Sequence, residues 1–176
     1  DLFNFVAWQL QTRAAVSVYA WMPVLAFNLD ASVPRVMAWS PGAGRTAPDS
    51  RHYVRLSPWS PVARKRINDI YEDLARHASF QGILFHDDAF LTDYEDASPA
   101  ALDAYRAAGF PHDIAQIRAN PQLLERWTRF KSRALIDFTE QLTQTVRSIR
   151  GPQVKTARNI YAMPVLEPKS ETWFAQ

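Results

Sequence analysis

The chain has 176 residues, of which 47% are hydrophobic and 22% charged, a balance that suits one packed domain or part of a larger one and speaks against global disorder. Its 20 Lys and Arg against 18 Asp and Glu leave a net charge of only +2, and the longest basic run, Arg64 to Arg66, falls in a predicted helix, so no nucleic-acid partner is expected. The lack of cysteine excludes disulfides, thiolate metal sites and cysteine nucleophiles, and no apolar run approaches the ~20 residues needed to cross a bilayer as a helix.

In chain order, the first predicted element is a strand in "AAVSVYAWMPV", with Val16, Val18 and Ala20 on one face and Ser17, Tyr19 and Trp21 on the other. Pro23 should end it. A Pro/Ser/Gly-rich segment, residues 41–60, reads as a long loop over the functional face. A helix is predicted over residues 62–78, with Ile67, Ile70, Tyr71 and Leu74 on one stripe and a solvated "RKR" face. A second strand, "QGILFH", covers residues 81–86, with Gly82 helping to end the turn before it. A short helix over residues 99–108 has Ser98 as its N-cap and Gly109 as its stop. A long helix over residues 124–149 repeats Leu135, Phe138, Leu142, Val146 and Ile149 at spacings of three and four. Pro121 after Asn120 is placed to start that helix, and Gly151-Pro152 to stop it. A third strand begins near Gln153 and ends by Pro164.

This β-α alternation predicts an α/β fold with a parallel sheet and helical crossovers. A doubly wound sheet and a (β/α) barrel both fit. No glycine-rich phosphate loop follows a strand, since Gly42-Ala43-Gly44 lies inside a polar loop, and a nucleotide-binding sheet loses support. In a barrel the chemistry sits at the C-terminal ends of the strands. Those ends are expected to carry Tyr19 and Trp21, then His86, Asp87 and Asp88, then Arg158 and Asn159. Three strands cannot close an eight-stranded barrel, so the expected fold is a partial (β/α)8 TIM barrel with open sheet edges.

The stretch "GILFHDDAFLTDYEDAS" concentrates five acids: Asp87, Asp88, Asp93, Glu95 and Asp96. Three readings compete. The first is a metal site built on His86, Asp87 and Asp88. It is weakened because strand neighbours point to opposite faces, because no H-x-x-x-H occurs, and because His52, His77 and His112 lack ligand spacing. No metal and no cofactor are expected. The second is acid/base work: glycoside hydrolysis uses one protonated and one ionised carboxyl, and clustered carboxyls push each other's pKa values apart. Sugar rings also pack on aromatic side chains, and Tyr19, Trp21, Trp39, Trp59 and Tyr94 fall on or near the proposed face. The third is a solvated acidic loop. Glu95 and Asp96 precede a helix whose dipole favours negative charge, and they are assigned mainly to that role. Asp103 is a helix-surface residue, and His86 is equally a core histidine or a site residue. Lys155 and Arg158 either neutralise the acidic cluster or orient a carboxylate.

The segments "VYAWMPVLAFNLD", "YVRLSPWSPVAR", "GILFHDDAFLTDYEDASPAAL", "RFKSRALIDFT" and "IRGPQVKTARNIYAMPVLEP" closely resemble the C-terminal domain of the PgaB/BpsB family of biofilm polysaccharide export, in the same order and over almost the whole chain. The resemblance implies a glycoside-hydrolase-like (β/α)8 barrel that binds, and in characterised members cleaves, partly de-N-acetylated poly-β-1,6-N-acetyl-D-glucosamine. It implies that Asp87, Asp88 and Asp93 line the acidic groove, with Asp93 as the essential catalytic acid; Asp87 or Asp88 is the candidate electrostatic or base partner of Asp93. It matches Tyr19 and Trp21 to the first-strand end at the same groove, and His86, Tyr94, Arg158 and Asn159 are candidate substrate-binding residues from their place on or near the proposed face. Residues 1–176 are then part of one barrel domain, and the family's N-terminal deacetylase domain is not among them, so deacetylase activity is not assigned to these residues. The implied setting is periplasmic and outer-membrane associated in a Gram-negative bacterium, with an outer-membrane export porin as a partner. The alternative is a non-catalytic module that guides the cationic polymer to export.

Overall fold

The computed structural model describes residues 1–42, 46–48 and 53–160. The elements run α1 (Leu2–Arg13), β1 (Tyr19–Met22), β2 (Met37–Trp39), β3 (Thr46–Pro48), α2 (Pro61–His77), β4 (Gly82–Phe85), α3 (Pro99–Ala107), α4 (Ile114–Ala119), α5 (Pro121–Arg150) and β5 (Lys155–Arg158). β1, β4 and β5 form a parallel three-stranded sheet in that order. β2 and β3 form a separate antiparallel hairpin. No helix among the described residues is long and apolar enough to cross a membrane.

The predicted helices form where their signals lie. Ser60 caps α2, with Pro61 in its first turn. Ser98 caps α3, and Gly109, with φ of 77°, follows its end. Asn120 caps α5, and Gly151 closes it at φ 96°, a conformation only glycine adopts cheaply. The C-terminal half of α5 lays Leu135, Phe138, Leu142 and Val146 against Ile67 and Tyr71 of α2 and against Ala20, Ile83 and Phe85 of the sheet. Its N-terminal half carries Trp127 into a second cluster with Tyr105, Phe110, Ile114 and Ile117. The "RKR" segment is not simply solvated: the Arg64 guanidinium lies 4.5 Å from the Phe138 ring and donates to the Pro58 carbonyl.

Strand alternation gives the sheet two faces. Ala20, Ile83 and Phe85 face the helices. Trp21, 60% exposed, and half-buried Leu84 stand in register on the other face. β5 is exposed along its length.

Several expectations are corrected. The first strand begins only at Tyr19, because Ala15 takes a positive φ of 51° and breaks the extended run. Tyr19 therefore pairs with Gly82 at the N-terminal end of the sheet, not at its C-terminal end. Gly82 is a strand residue rather than a turn: a Cβ there would meet the Tyr19 ring and the Lys155 carbonyl, the latter at 2.8 Å. Lys155 shares that N-terminal end, so it is removed from the acidic loop that follows Phe85. The third strand ends at Arg158, before Pro164, which lies outside the described residues. His52, Ala43 and Gly44 also lie outside them.

Candidate active site

β4 delivers the site. Its last residue, Phe85, stacks on Tyr71 in the core, and alternation then returns His86 to the open face beside Trp21. The two rings are 5.4 Å apart at 30°. Tyr53, from the loop before α2, also meets His86, edge-on at 5.3 Å. The His86 backbone N–H donates to the Met22 carbonyl and prolongs the β1–β4 pairing. Because regular strand has ended, His86 and Asp87 do meet: Nδ1 lies 2.8 Å from Asp87 Oδ1 and 3.7 Å from Asp88 Oδ1.

The five acids divide by what holds them. The Asp88 carboxylate is fully buried and accepts the backbone N–H groups of Val24, Leu25 and Ala26 at 2.6–3.1 Å. It fixes the chain as it leaves β1, which is a structural task. Glu95 is also fully buried. It pairs with Arg55 at 2.8 Å and accepts the Thr92 N–H. Asp96 accepts the N–H groups of Met37 and Ser98 and the hydroxyls of Ser57 and Ser98. Burial pushes the Asp96 carboxyl up against those hydrogen bonds. Glu95 and Asp96 are thus not solvated helix-start charges. They are buried anchors that tie the acidic loop to the segment before α2 and to the β2 hairpin.

Asp87 and Asp93 remain. The Asp87 side chain is one-third exposed beside His86. Asp93 is 5% exposed, and among the described residues no hydrogen bond engages its carboxyl. Burial pushes its pKa upward, opposed by the charges of Lys131 and Arg118. The surrounding loop is fastened through its carbonyls: Arg158 donates to Ala89, Arg55 to Phe90, Arg118 to Asp93, and Lys131 to both Thr92 and Glu95. Among the described residues no three His, Asp or Glu side chains gather as a metal site.

Tyr94 is half-buried between the Trp39 ring, stacked at 6.4 Å, and the Arg118 guanidinium, 3.7 Å from its centroid. Trp59, half-buried in the turn before α2, packs edge-on against Tyr105 at 5.2 Å and lies against both core clusters. Arg158 stands in register with Phe85, on the helix side, and lines a pocket of about 240 Å³ with Lys131 and Leu135. It is not brought to the Trp21–His86 face. Asn159 follows on the open side, its N–H bonded to the Phe85 carbonyl. Sequence reasoning missed Tyr53, Arg55, Arg118 and Lys131. Arg118 and Lys131 lie on helices, and the periodic pattern gives no reason to separate them from surface cations.

The chain is 53% identical, over all 176 residues, to poly-beta-1,6-N-acetyl-D-glucosamine N-deacetylases of Escherichia coli strains K12 and O157:H7, and it spans about a quarter (26%) of their length. Among solved structures it is similar to the PgaB (BpsB) glycoside hydrolase domain from Bordetella bronchiseptica, with a TM-score of 0.85 and 49% identity, covering 97% of this chain and 49% of that one. It also resembles in fold alpha-L-fucosidase isoenzyme 2 from Paenibacillus thiaminolyticus, with a TM-score of 0.50 and 14% identity over 89% of this chain and 23% of that one. Both neighbours are consistent with a TIM-barrel-like glycoside hydrolase fold, of which these elements are a part. Residues 1–176 match the hypothetical glycosyl hydrolase family 13 from end to end, and the chain belongs to that family.

Proposed function

We propose that this domain binds and endo-hydrolyses partially de-N-acetylated poly-β-1,6-N-acetyl-D-glucosamine. Asp93 serves as the general acid and Asp87 as its carboxyl partner. The observation that carries this reading is the division of the five acids: Asp88, Glu95 and Asp96 are consumed by structural bonds, which leaves Asp87 and Asp93. Their environments differ as acid/base chemistry requires. Burial favours the protonated form of Asp93, while the Asp87 side chain is one-third exposed beside His86. Trp21 and Tyr53 flank His86 and offer apolar faces to a sugar ring. Acidic groups also draw a polymer whose free glucosamine units are cationic.

In the finer fold we infer, β1, β4 and β5 are three strands of a (β/α)8 barrel, with Trp21 and Leu84 facing its interior. The names of the relatives support the polymer as substrate. A periplasmic, outer-membrane-associated setting and delivery of product to an export porin complete the proposal.

The test is to incubate the full-length protein with polymer of graded N-acetylation and to follow chain length and binding separately. Shorter oligomers, released faster as free amines increase, are expected. Binding without any shortening supports the non-catalytic guiding module instead.

A further inference from the structure

Lys131 lies on α5, a helix whose other buried side chains are mostly apolar. Its side chain is 2% exposed, and a buried lysine is costly unless something holds it. Here Nζ donates to the Thr92 carbonyl at 2.6 Å and the Glu95 carbonyl at 2.7 Å, and it sits 3.4 Å from the centroid of the Trp127 ring. The two acceptors bracket Asp93 in the chain. From α4, Arg118 donates to the Asp93 carbonyl itself at 2.8 Å.

We propose that Lys131 is a positioning residue for Asp93: its ammonium pins both ends of the Thr92–Glu95 turn and sets the location and the proton affinity of the Asp93 carboxyl. The proposal rests on the reading of Asp93 as the general acid. The charged groups facing Lys131 are Asp93, Glu95 and Asp96 from the acidic loop, Arg118 from α4, and Arg158 across the pocket it lines; Glu95 is already paired with Arg55. Burial lowers the Lys131 pKa to about 7, against the attraction of the three acids. The neutral amine keeps two N–H donors for its two carbonyl acceptors. Deprotonation therefore removes the charge beside Asp93 while the turn stays tied.

The experiment compares Lys131→Met, Lys131→Arg and wild type in the full-length protein, by oligomer release across pH. Loss of the cation removes a group that favours ionised Asp93, so the basic limb of kcat/KM should move to higher pH in Lys131→Met. The maximal rate should fall about tenfold to a hundredfold as the carboxyl loses its position. Lys131→Arg keeps the charge and should hold the limb near its wild-type place. If Lys131→Met does not fold, Lys131→Gln, which keeps amide donors without charge, is read in its place. A folded Lys131→Met protein with an unmoved limb and near wild-type kcat/KM overturns the proposal. The double variant with Asp93→Asn separates the two readings. If Asp93→Asn alone is inactive and Lys131→Met adds nothing further, both stand. If losses from the two substitutions simply multiply, Lys131 acts elsewhere and its positioning role fails. If Asp93→Asn is fully active, the general-acid assignment falls first, whatever Lys131 does.

Discussion

The two ends of the loop after β4 are built from the same residue types and put to different use. At the near end, His86, Asp87 and Asp88 follow directly from strand. Asp88 turns inward to cap three backbone N–H groups, while Asp87 and His86 stay open beside Trp21 and Tyr53. At the far end, Asp93, Glu95 and Asp96 are enclosed by cations and hydroxyls from α4, α5 and the segment before α2. Each end commits part of its acids to holding the loop and leaves one carboxyl without such a bond. Asp87 is partly exposed beside His86, and the enclosed Asp93 has its proton affinity raised by burial. Adjacency in sequence says little about which acid is available. The deciding quantity is the number of buried donors that each carboxylate must satisfy.

The largest effect should come from breaking a committed acid. Asp88→Ala leaves three N–H groups, two of them buried, without their acceptor, at about 1–3 kcal/mol for each group that water does not reach. A fall in denaturant midpoint large enough to compromise folding is expected, whereas Asp87→Ala should leave the midpoint nearly unchanged. Equal midpoints for the two would erase the distinction between them.

A smaller effect sharpens the far end. The folded pKa of Lys131, about 7, lies below its ordinary 10.5. Between those values the unfolded chain holds a proton that the folded chain has released, so stability should rise with pH over that window. Lys131→Met should flatten the rise in a series of denaturant melts. Tyr71 and Tyr105, both pushed upward by burial, act in the opposite sense from about pH 10. The upper part of the window should therefore be the shallower one. Below neutrality, the raised carboxyls of Asp93 and Asp96 remove stability as pH climbs through their titration.

The smallest effect belongs to the near end. Trp21→Ala removes an exposed ring from the His86 face and should weaken polymer binding by about 1 kcal/mol, read as a several-fold rise in KM with stability unchanged. A loss of stability instead would make Trp21 a packing residue.

Much of the scaffold was legible in the residues. α2 and α5 announce themselves by apolar spacing, and Ser98, Asn120, Gly109 and Gly151 mark helix ends by capping chemistry. α1 was not legible, because Leu2, Phe3, Phe5, Val6, Trp8 and Leu10 surround the helix instead of forming a stripe, and they remain exposed. α4 is too short for periodicity to show. At the site, the sequence marks the acidic stretch but does not sort its members. The partners of Asp88 lie more than sixty residues upstream, and Arg55 lies forty residues before Glu95. No spacing rule connects such residues. Lys131 was hidden for the same reason, since a lysine on a helix ordinarily faces water.

The most direct measurement is the rate of oligomer release from partially de-N-acetylated polymer by full-length Asp93→Asn protein, alongside Asp87→Asn, each with an unchanged melting temperature. Loss of a general acid should slow release by roughly a hundredfold or more for Asp93→Asn, with binding retained. Release at the wild-type rate by a folded Asp93→Asn protein would contradict the assignment of Asp93 as the acid.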